Sequence, residues 1–364
     1  VGGLSTIAAN AALDHMHGTP YTPPASIFLA LSVAFSVVNA GYQWTASGSG
    51  TAEYYLEAAG GGDPGLPDPE IMLAGGAELA AGTLGSLSAG EFGFGDNDAL
   101  GFNTVYVRLA DDTDPDSKAD GYLMAGGNPG NDGSGLNEPG DTYTRQLVSY
   151  SPASSRRATQ AITVEYPLSA AAWGWVTHWA VTDAETGGNI LASGRFAHAS
   201  QIEQNLKVKI LDESPTWIQI NGTSTGAGIT DYAANALLNL IFRGASFSIA
   251  GLQMALLSET ADDTAEQIGA DCSEISGTGY SRVSVNPAGG SAPAFSAAAA
   301  RQVSNADVIS WGQPGADDWS QLTAAALVTD AGYVLAYDNN LVAFMPSTSD
   351  SIRVAAGEYT NLME

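Results

Sequence analysis

Two stretches of the chain carry the marks of short amphipathic helices. Ser5 or Thr6 can cap the first, residues 7–17 contain neither proline nor glycine, and Gly18 stops it. Thr230 and Gly244 bracket the second, where Leu237, Leu238 and Ile241 fall at i, i+1 and i+4 on one apolar face. Much of the rest favours strands. Leu206, Val208 and Ile210 interleave with Asn205, Lys207 and Lys209, the period-two pattern of a half-buried strand. Residues 217–220, 283–285 and 333–335 are similar short candidates, with Gly, Asn, Asp and Pro turns between them. The class is mainly β.

The pattern repeats. Ala8-Ala9-Asn10-Ala11-Ala12-Leu13 aligns with Ala233-Ala234-Asn235-Ala236-Leu237-Leu238 at an offset of 225, which also sets Leu29-Ala30-Leu31 on Met254-Ala255-Leu256. Tyr143-Thr144-Arg145 then matches Tyr280-Ser281-Arg282, and Trp173 with Val176-Thr177 matches Trp319 with Leu322-Thr323. Thr182-Asp183 and Ile190-Leu191-Ala192 echo Thr329-Asp330 and Val334-Leu335-Ala336. The spacing predicts a duplicated domain, and the expected fold is two related β-sandwich-like domains, each opened by a short helix. Leu31 and Tyr143 are 112 residues apart but Leu256 and Tyr280 only 24, so the first copy holds an insert. The expected organisation is 1–36 with 131–220 as a discontinuous first repeat and 37–130 as an inserted Gly-rich β module. Residues 221–228 follow as a flexible linker, and 229–364 as a second, diverged repeat.

Charge narrows the function classes. Twelve Lys and Arg against 39 Asp and Glu give a formal charge of −27, which repels phosphate backbones, so no nucleic-acid partner is expected. Cys272 is the only cysteine, which excludes an intramolecular disulfide framework. The longest apolar run, residues 27–38, is interrupted by Ser32 and Ser36 and is shorter than the ~20 residues of a membrane-spanning helix. The first residues lack a basic n-region, so neither secretion by a signal peptide nor a membrane partner is expected.

Catalytic motifs are scarce. The sequence has no Walker-type phosphate loop, and its one Gly-x-Ser-x-Gly spacing, residues 222–226, falls in the expected flexible linker and is not read as a nucleophile elbow. His15 and His17, two apart on a helix, point in different directions and make a poor metal pair. His178 sits in a strand-like run and reads as a packed, hydrogen-bonded histidine. Asp112-x-Asp114-x-Asp116 matches the first half of a calcium loop, but Ser117 and Leu123 replace the glycine and the final acid. With Asp96-Asn97-Asp98 it reads as turn chemistry, a structural calcium being the alternative. Arg156-Arg157 reads as a solvated turn. Trp173, Trp175 and Trp179 would share one strand face, as core or interface and less readily as a sugar platform. No catalytic, cofactor-binding or metal residue is assigned.

Several segments resemble a known family. Leu13-Asp14-His15, residues 21–32, residues 131–139 with Tyr143-Thr144-Arg145, and Ala172-Trp173-Gly174-Trp175-Val176-Thr177-His178 with residues 183–191 are similar to a small β-rich family of tailed bacteriophages. That family shows Trp-Gly-x-Val-Thr-His followed by Asp-Ala-x-x-Gly-Gly-Asn-Leu-Leu, and its members are labelled head decoration, minor tail or tail-fibre proteins. The second copy departs from it, since Thr323 is followed by Ala324 and not by histidine. The resemblance implies a non-enzymatic virion structural protein, assembled in the host cytoplasm without cofactors. The expected role is capsid cement or decoration on the major capsid protein, as a homo-oligomer. A tail-fibre, baseplate or other tail-associated subunit with a receptor- or glycan-facing insert is the alternative, and a carbohydrate-active enzyme the remote one.

Overall fold

A computed structural model describes residues 2–39, 41–127, 136–140, 142–212, 216, 218–222, 227–286, 292–315, 318–341 and 343–363. The fold is mainly β, with two α-helices among the described residues. Residues 131–135 of the family-like segment, Trp217 and residues 223–226 of the expected linker lie outside the described residues. The chain divides into one unit of residues 1–27, 147–163 and 211–364 and another of residues 28–146 and 164–210. The division runs through the first repeat, whose helix and residues 147–163 group with the whole second repeat.

In the unit of residues 28–146 and 164–210, strand Gly174–Thr182 lies between Phe28–Val33 and Ile190–Ile202, antiparallel to both. Residues 176–182 are all buried, so this strand reads as a continuous run and not as an alternation. Val176 pairs with Val33 and His178 with Ser32, which leaves Thr177 as the extra residue of a bulge. The bulge reverses the parity of the strand, so Trp175 and Trp179 take opposite faces. This corrects the expectation of a three-tryptophan face: Trp173 and Trp179 are buried, and Trp175 is half-buried against Gly76.

The expected insert builds its own core. Tyr42–Ala46, Tyr54–Ala58, Thr104–Arg108, Glu91–Gly95 and Ala80–Ala81 form one sheet in that order. Phe35–Ser36, Leu123–Gly126, Ile71–Ala74 and Ala77–Glu78 form another. Val37, Trp44, Leu56, Met72, Val105 and Leu123 are buried together between residues of both. Glu53 is buried here as a loop anchor, accepting the Leu87 N–H at 2.7 Å and the Gly85 N–H at 3.1 Å.

The other unit holds both helices. In α1 (Thr6–Met16) Ser5 is the N-cap and accepts from the Ala8 N–H at 3.0 Å. In α2 (Asp231–Arg243) Thr230 caps the start, and Gly244, at φ 61°, adopts the left-handed ending that favours glycine. Each helix follows a short strand absent from the sequence expectations. Gly2–Leu4 pairs in parallel with Ile218–Gln219, and Ala227–Ile229 pairs with Val334–Asp338. Residues 227 and 228, expected as linker, are therefore sheet. The second repeat's sheet runs Ala227–Ile229, Val334–Asp338, Ala324–Val328, Gln253–Leu257 and Val283–Ser284.

The helices are exchanged between repeats. Residues 154–157 and 299–302 each form a two-residue hairpin turn with positive φ at both central positions: 49° and 61° at Ser155 and Arg156, 49° and 64° at Ala300 and Arg301. The Arg156 N–H donates to Asn235 of α2 at 2.9 Å, and the Arg301 N–H donates to Asn10 of α1 at 2.8 Å. The Ala153 N–H likewise meets Asn239, and the Ala298 N–H meets Asp14. Each repeat's helix thus holds the other repeat's turn, a self-complementary arrangement with the logic of a two-fold dimer inside one chain.

Candidate functional site

The best-formed side-chain constellation occurs twice, once in each repeat. In the first, the Tyr143 hydroxyl accepts the Leu31 N–H at 2.8 Å and the Trp173 ring stands edge-on to Tyr143 at 5.5 Å. Arg145 clamps Glu138 with two bonds of 2.9 and 2.8 Å and reaches the Ala184 and Gly187 carbonyls. In the second, Tyr280 accepts the Leu256 N–H at 2.9 Å, Trp319 stands edge-on at 5.4 Å, and Arg282 clamps Glu274 through bonds of 3.0 and 2.8 Å. The Tyr166 hydroxyl donates to the Leu29 carbonyl at 2.9 Å, and Trp311 Nε1 donates to the Met254 carbonyl at 3.2 Å in the same place. Burial drives the Tyr143 and Tyr280 hydroxyls well above the usual phenol range, so both stay neutral. The pattern satisfies buried backbone groups between strands and presents no reactive group.

His178 forms the arrangement closest to a catalytic one. Its Nδ1 lies 2.9 Å from Thr177 Oγ1 and its Nε2 lies 3.1 Å from Glu70 Oε2. A hydroxyl, an imidazole and a carboxylate in that order have the connectivity of a nucleophile, a base and an orienting acid. Thr177 is 1% exposed and His178 fully buried, so no substrate atom can approach the hydroxyl. Thr177 is the bulge residue, and its hydroxyl reaches the Ser32 carbonyl at 3.4 Å. Thr323 makes a similar bond to the Ser258 carbonyl at 3.0 Å with Ala324 beside it, so a threonine in this place is held without a neighbouring histidine. The trio pins a strand irregularity.

His15 and His17 are committed to packing, whereas His198 is exposed. His15 accepts the Tyr21 N–H at Nδ1, at 3.0 Å, and donates from Nε2 to the Phe247 carbonyl at 2.8 Å. His17 donates from Nδ1 to the Leu13 carbonyl at 2.7 Å and faces Asn361 Nδ2 with Nε2 at 3.0 Å. Burial lowers the His17 pKa to about 4 against a smaller opposing effect of the Leu13 bond. Burial also pushes the Cys272 thiol up to about 11, far from a nucleophilic thiolate at neutral pH.

The aspartates of the calcium-like segments point to different partners. Asp112 pairs with Arg108 at 2.7 Å, Asp114 caps the 3₁₀ turn Pro115–Ser117, and Asp116 accepts the Trp44 N–H at 3.0 Å. Asp96 accepts from the Leu100 and Gly101 N–H groups, and Asp98 binds Ser47, Gly48 and Ser49. Lys118 beside Asp111 holds that carboxyl down to about 2. Among the described residues no three His, Cys, Asp or Glu side chains converge as metal ligands.

Arg156 corrects the reading of Arg156-Arg157 as a solvated turn. It is buried, and its guanidinium donates to the carbonyls of Ile220, Ile229 and Asn221 at 2.7–3.0 Å and to Asp231 at 3.1 Å. Its counterpart Arg301 donates to the Leu4 carbonyl. Sequence spacing missed these arginines as the pins of the exchange. The available signal was Asn10 and Asn235 at matching interior helix positions, where asparagine is a poor helix former and calls for another role.

Comparison with known proteins matches two segments of the chain to one family. The family described as Podophage GP4 fiber I protein gp80 matches residues 103–216 and 228–361. No curated protein matches the chain.

Proposed function

The chain belongs to the podophage GP4 fiber I protein gp80 family, and from that premise we propose that it serves as a non-enzymatic, tail-associated fibre subunit of the virion. The observation that carries the reading is the family match over residues 103–216 and 228–361. It favours the fibre alternative over the capsid cement or decoration role expected from sequence. The geometry supports a structural task, since Thr177 and His178 are buried beneath Glu70 and the Tyr–Arg–Trp constellations hold backbone groups between strands. Self-complementary exchange of helices suits a particle component built without disulfides, because Cys272 is a buried free thiol. On this reading the partners are other virion proteins, and neither a nucleic acid nor a membrane is among them. Among the described residues no helix is long and apolar enough to cross a membrane.

Quantitative mass spectrometry of purified particles, with antibody labelling under the electron microscope, tests the proposal. A small fixed copy number with label at the tail is the expected result. A copy number approaching that of the major capsid protein, with label over the shell, restores decoration, and absence from particles defeats both.

A further inference from the structure

The two repeats differ beside the ends of their exchanged helices, and the difference leaves a groove open in the first. The groove lies wholly within the unit that holds both helices, has a volume of about 600 Å³, and is floored by Ile27, Val148, Tyr150, Ile241 and Phe242. Leu147, 60% exposed, and the exposed Arg243 stand at its rim.

The second repeat shows what fills the corresponding place. The Val148 N–H donates to the Ile27 carbonyl at 3.1 Å, as the Val285 N–H does to the Leu252 carbonyl at 3.0 Å. The Tyr150 ring meets Phe242 at 5.3 Å, as Phe295 meets His17 at 4.6 Å. Ser149 alone separates Val148 from Tyr150, whereas residues 286–294 separate Val285 from Phe295. Asn286, in that longer connection, bridges the site: its Oδ1 accepts the Phe295 N–H at 2.9 Å and its Nδ2 donates to the His17 carbonyl, just past α1. The corresponding donor and acceptor in the first repeat are the Tyr150 N–H and the Phe242 carbonyl. Among the described residues no side chain bonds to either. Arg243 donates only to Asn239, at 3.3 Å, and has no acidic partner among the described residues.

We propose that this groove binds an extended polypeptide segment of another virion protein, through a carboxamide that takes the place Asn286 fills in the second repeat and a carboxylate that pairs with Arg243. A carboxamide carries the acceptor and the donor in one plane, which the Tyr150–Phe242 pair requires. The carboxylate requirement follows from an exposed, unpaired guanidinium on a chain of net charge −27. The virion origin of the partner rests on the fibre reading; the groove and its chemistry do not.

The probe is a labelled synthetic peptide with the sequence of residues 285–295 and one added aspartate, titrated into the full chain and followed by fluorescence anisotropy. Saturable binding is expected, weakened about tenfold by alanine in place of the peptide's asparagine and about tenfold by Arg243→Glu or Ser149→Trp in the protein. Both protein substitutions fall on exposed residues, and unchanged melting temperatures establish that the variants fold. The same variants supplied during phage growth are expected to enter particles at reduced copy number. Absent binding, or equal binding to wild type and both variants, overturns the proposal. So does self-association of the full chain that Ser149→Trp abolishes, since the occupant is then a second copy. A wild-type chain missing from particles defeats the fibre reading alone, and the peptide titration still judges the groove.

Discussion

At the scale of single residues, stability rests on buried polar groups held by specific side-chain partners. Tyr143 and Tyr280 each accept a strand N–H that has no water to turn to. Replacing either by phenylalanine keeps the ring and strands the N–H, at a cost of about 1–3 kcal/mol. Tyr143→Phe and Tyr280→Phe are expected to lower the melting temperature by similar amounts, measured by calorimetry on the full chain. His17 sets a pH response. Its folded pKa of about 4 lies below the unfolded 6.5, so the unfolded chain binds the extra proton between those values. Its stabilising effect is intact above about pH 6.5 and is lost as the pH falls to about 4, by as much as about 3 kcal/mol. Urea midpoints measured from pH 7 to 4.5 should fall more steeply for wild type than for His17→Asn. Equal slopes would remove His17 from the account. The carboxylates that neighbouring lysines hold to about 2, Asp111 and Glu165, titrate below that window.

At the scale of elements, the exchange of helices explains why two hairpin turns tolerate four non-glycine residues at positive φ. Such a conformation costs roughly 1–2 kcal/mol per residue, and here the turn N–H groups and carbonyls are held from outside. Ile220 and Met363 N–H groups bind the Arg156 and Arg301 carbonyls at 3.1 and 3.0 Å, while Asn235 and Asn10 hold the amides. Asn235→Ala and Asn10→Ala should each destabilise by about 1 kcal/mol or more. The telling readout is hydrogen exchange. Asn235→Ala should speed exchange at the Arg156 amide in the first repeat, and Asn10→Ala at the Arg301 amide in the second. Acceleration confined to the mutated helix would contradict the exchange.

At the scale of the whole chain, the connection between repeats matters less than the surfaces that join them. A protease site engineered into residues 223–226 is expected to yield two fragments that co-elute under native conditions and separate in denaturant. Fragments that part in native buffer would show that the connection, and not the exchanged helices, holds the repeats together. Much of this arrangement is legible in the sequence. The duplication, both helices with the caps Ser5, Thr230 and Gly244, and the β character follow from periodicity, turn chemistry and spacing, all of which are local or comparative signals. The tryptophan face, the Arg156-Arg157 turn and the linker at 227–228 do not follow. A single extra residue at Thr177 inverts the strand beyond it, and only the pairing with Val33 and Ser32 reveals it. Arg156 reads as solvated until Ile220, Ile229 and Asp231 close around it. The sequence by itself determined that the chain holds two copies of one β-rich repeat, because copies can be recognised one residue at a time. Which copy's helix covers which copy's turn was decided only in three dimensions, because an asparagine at the same helix position serves either partner equally well.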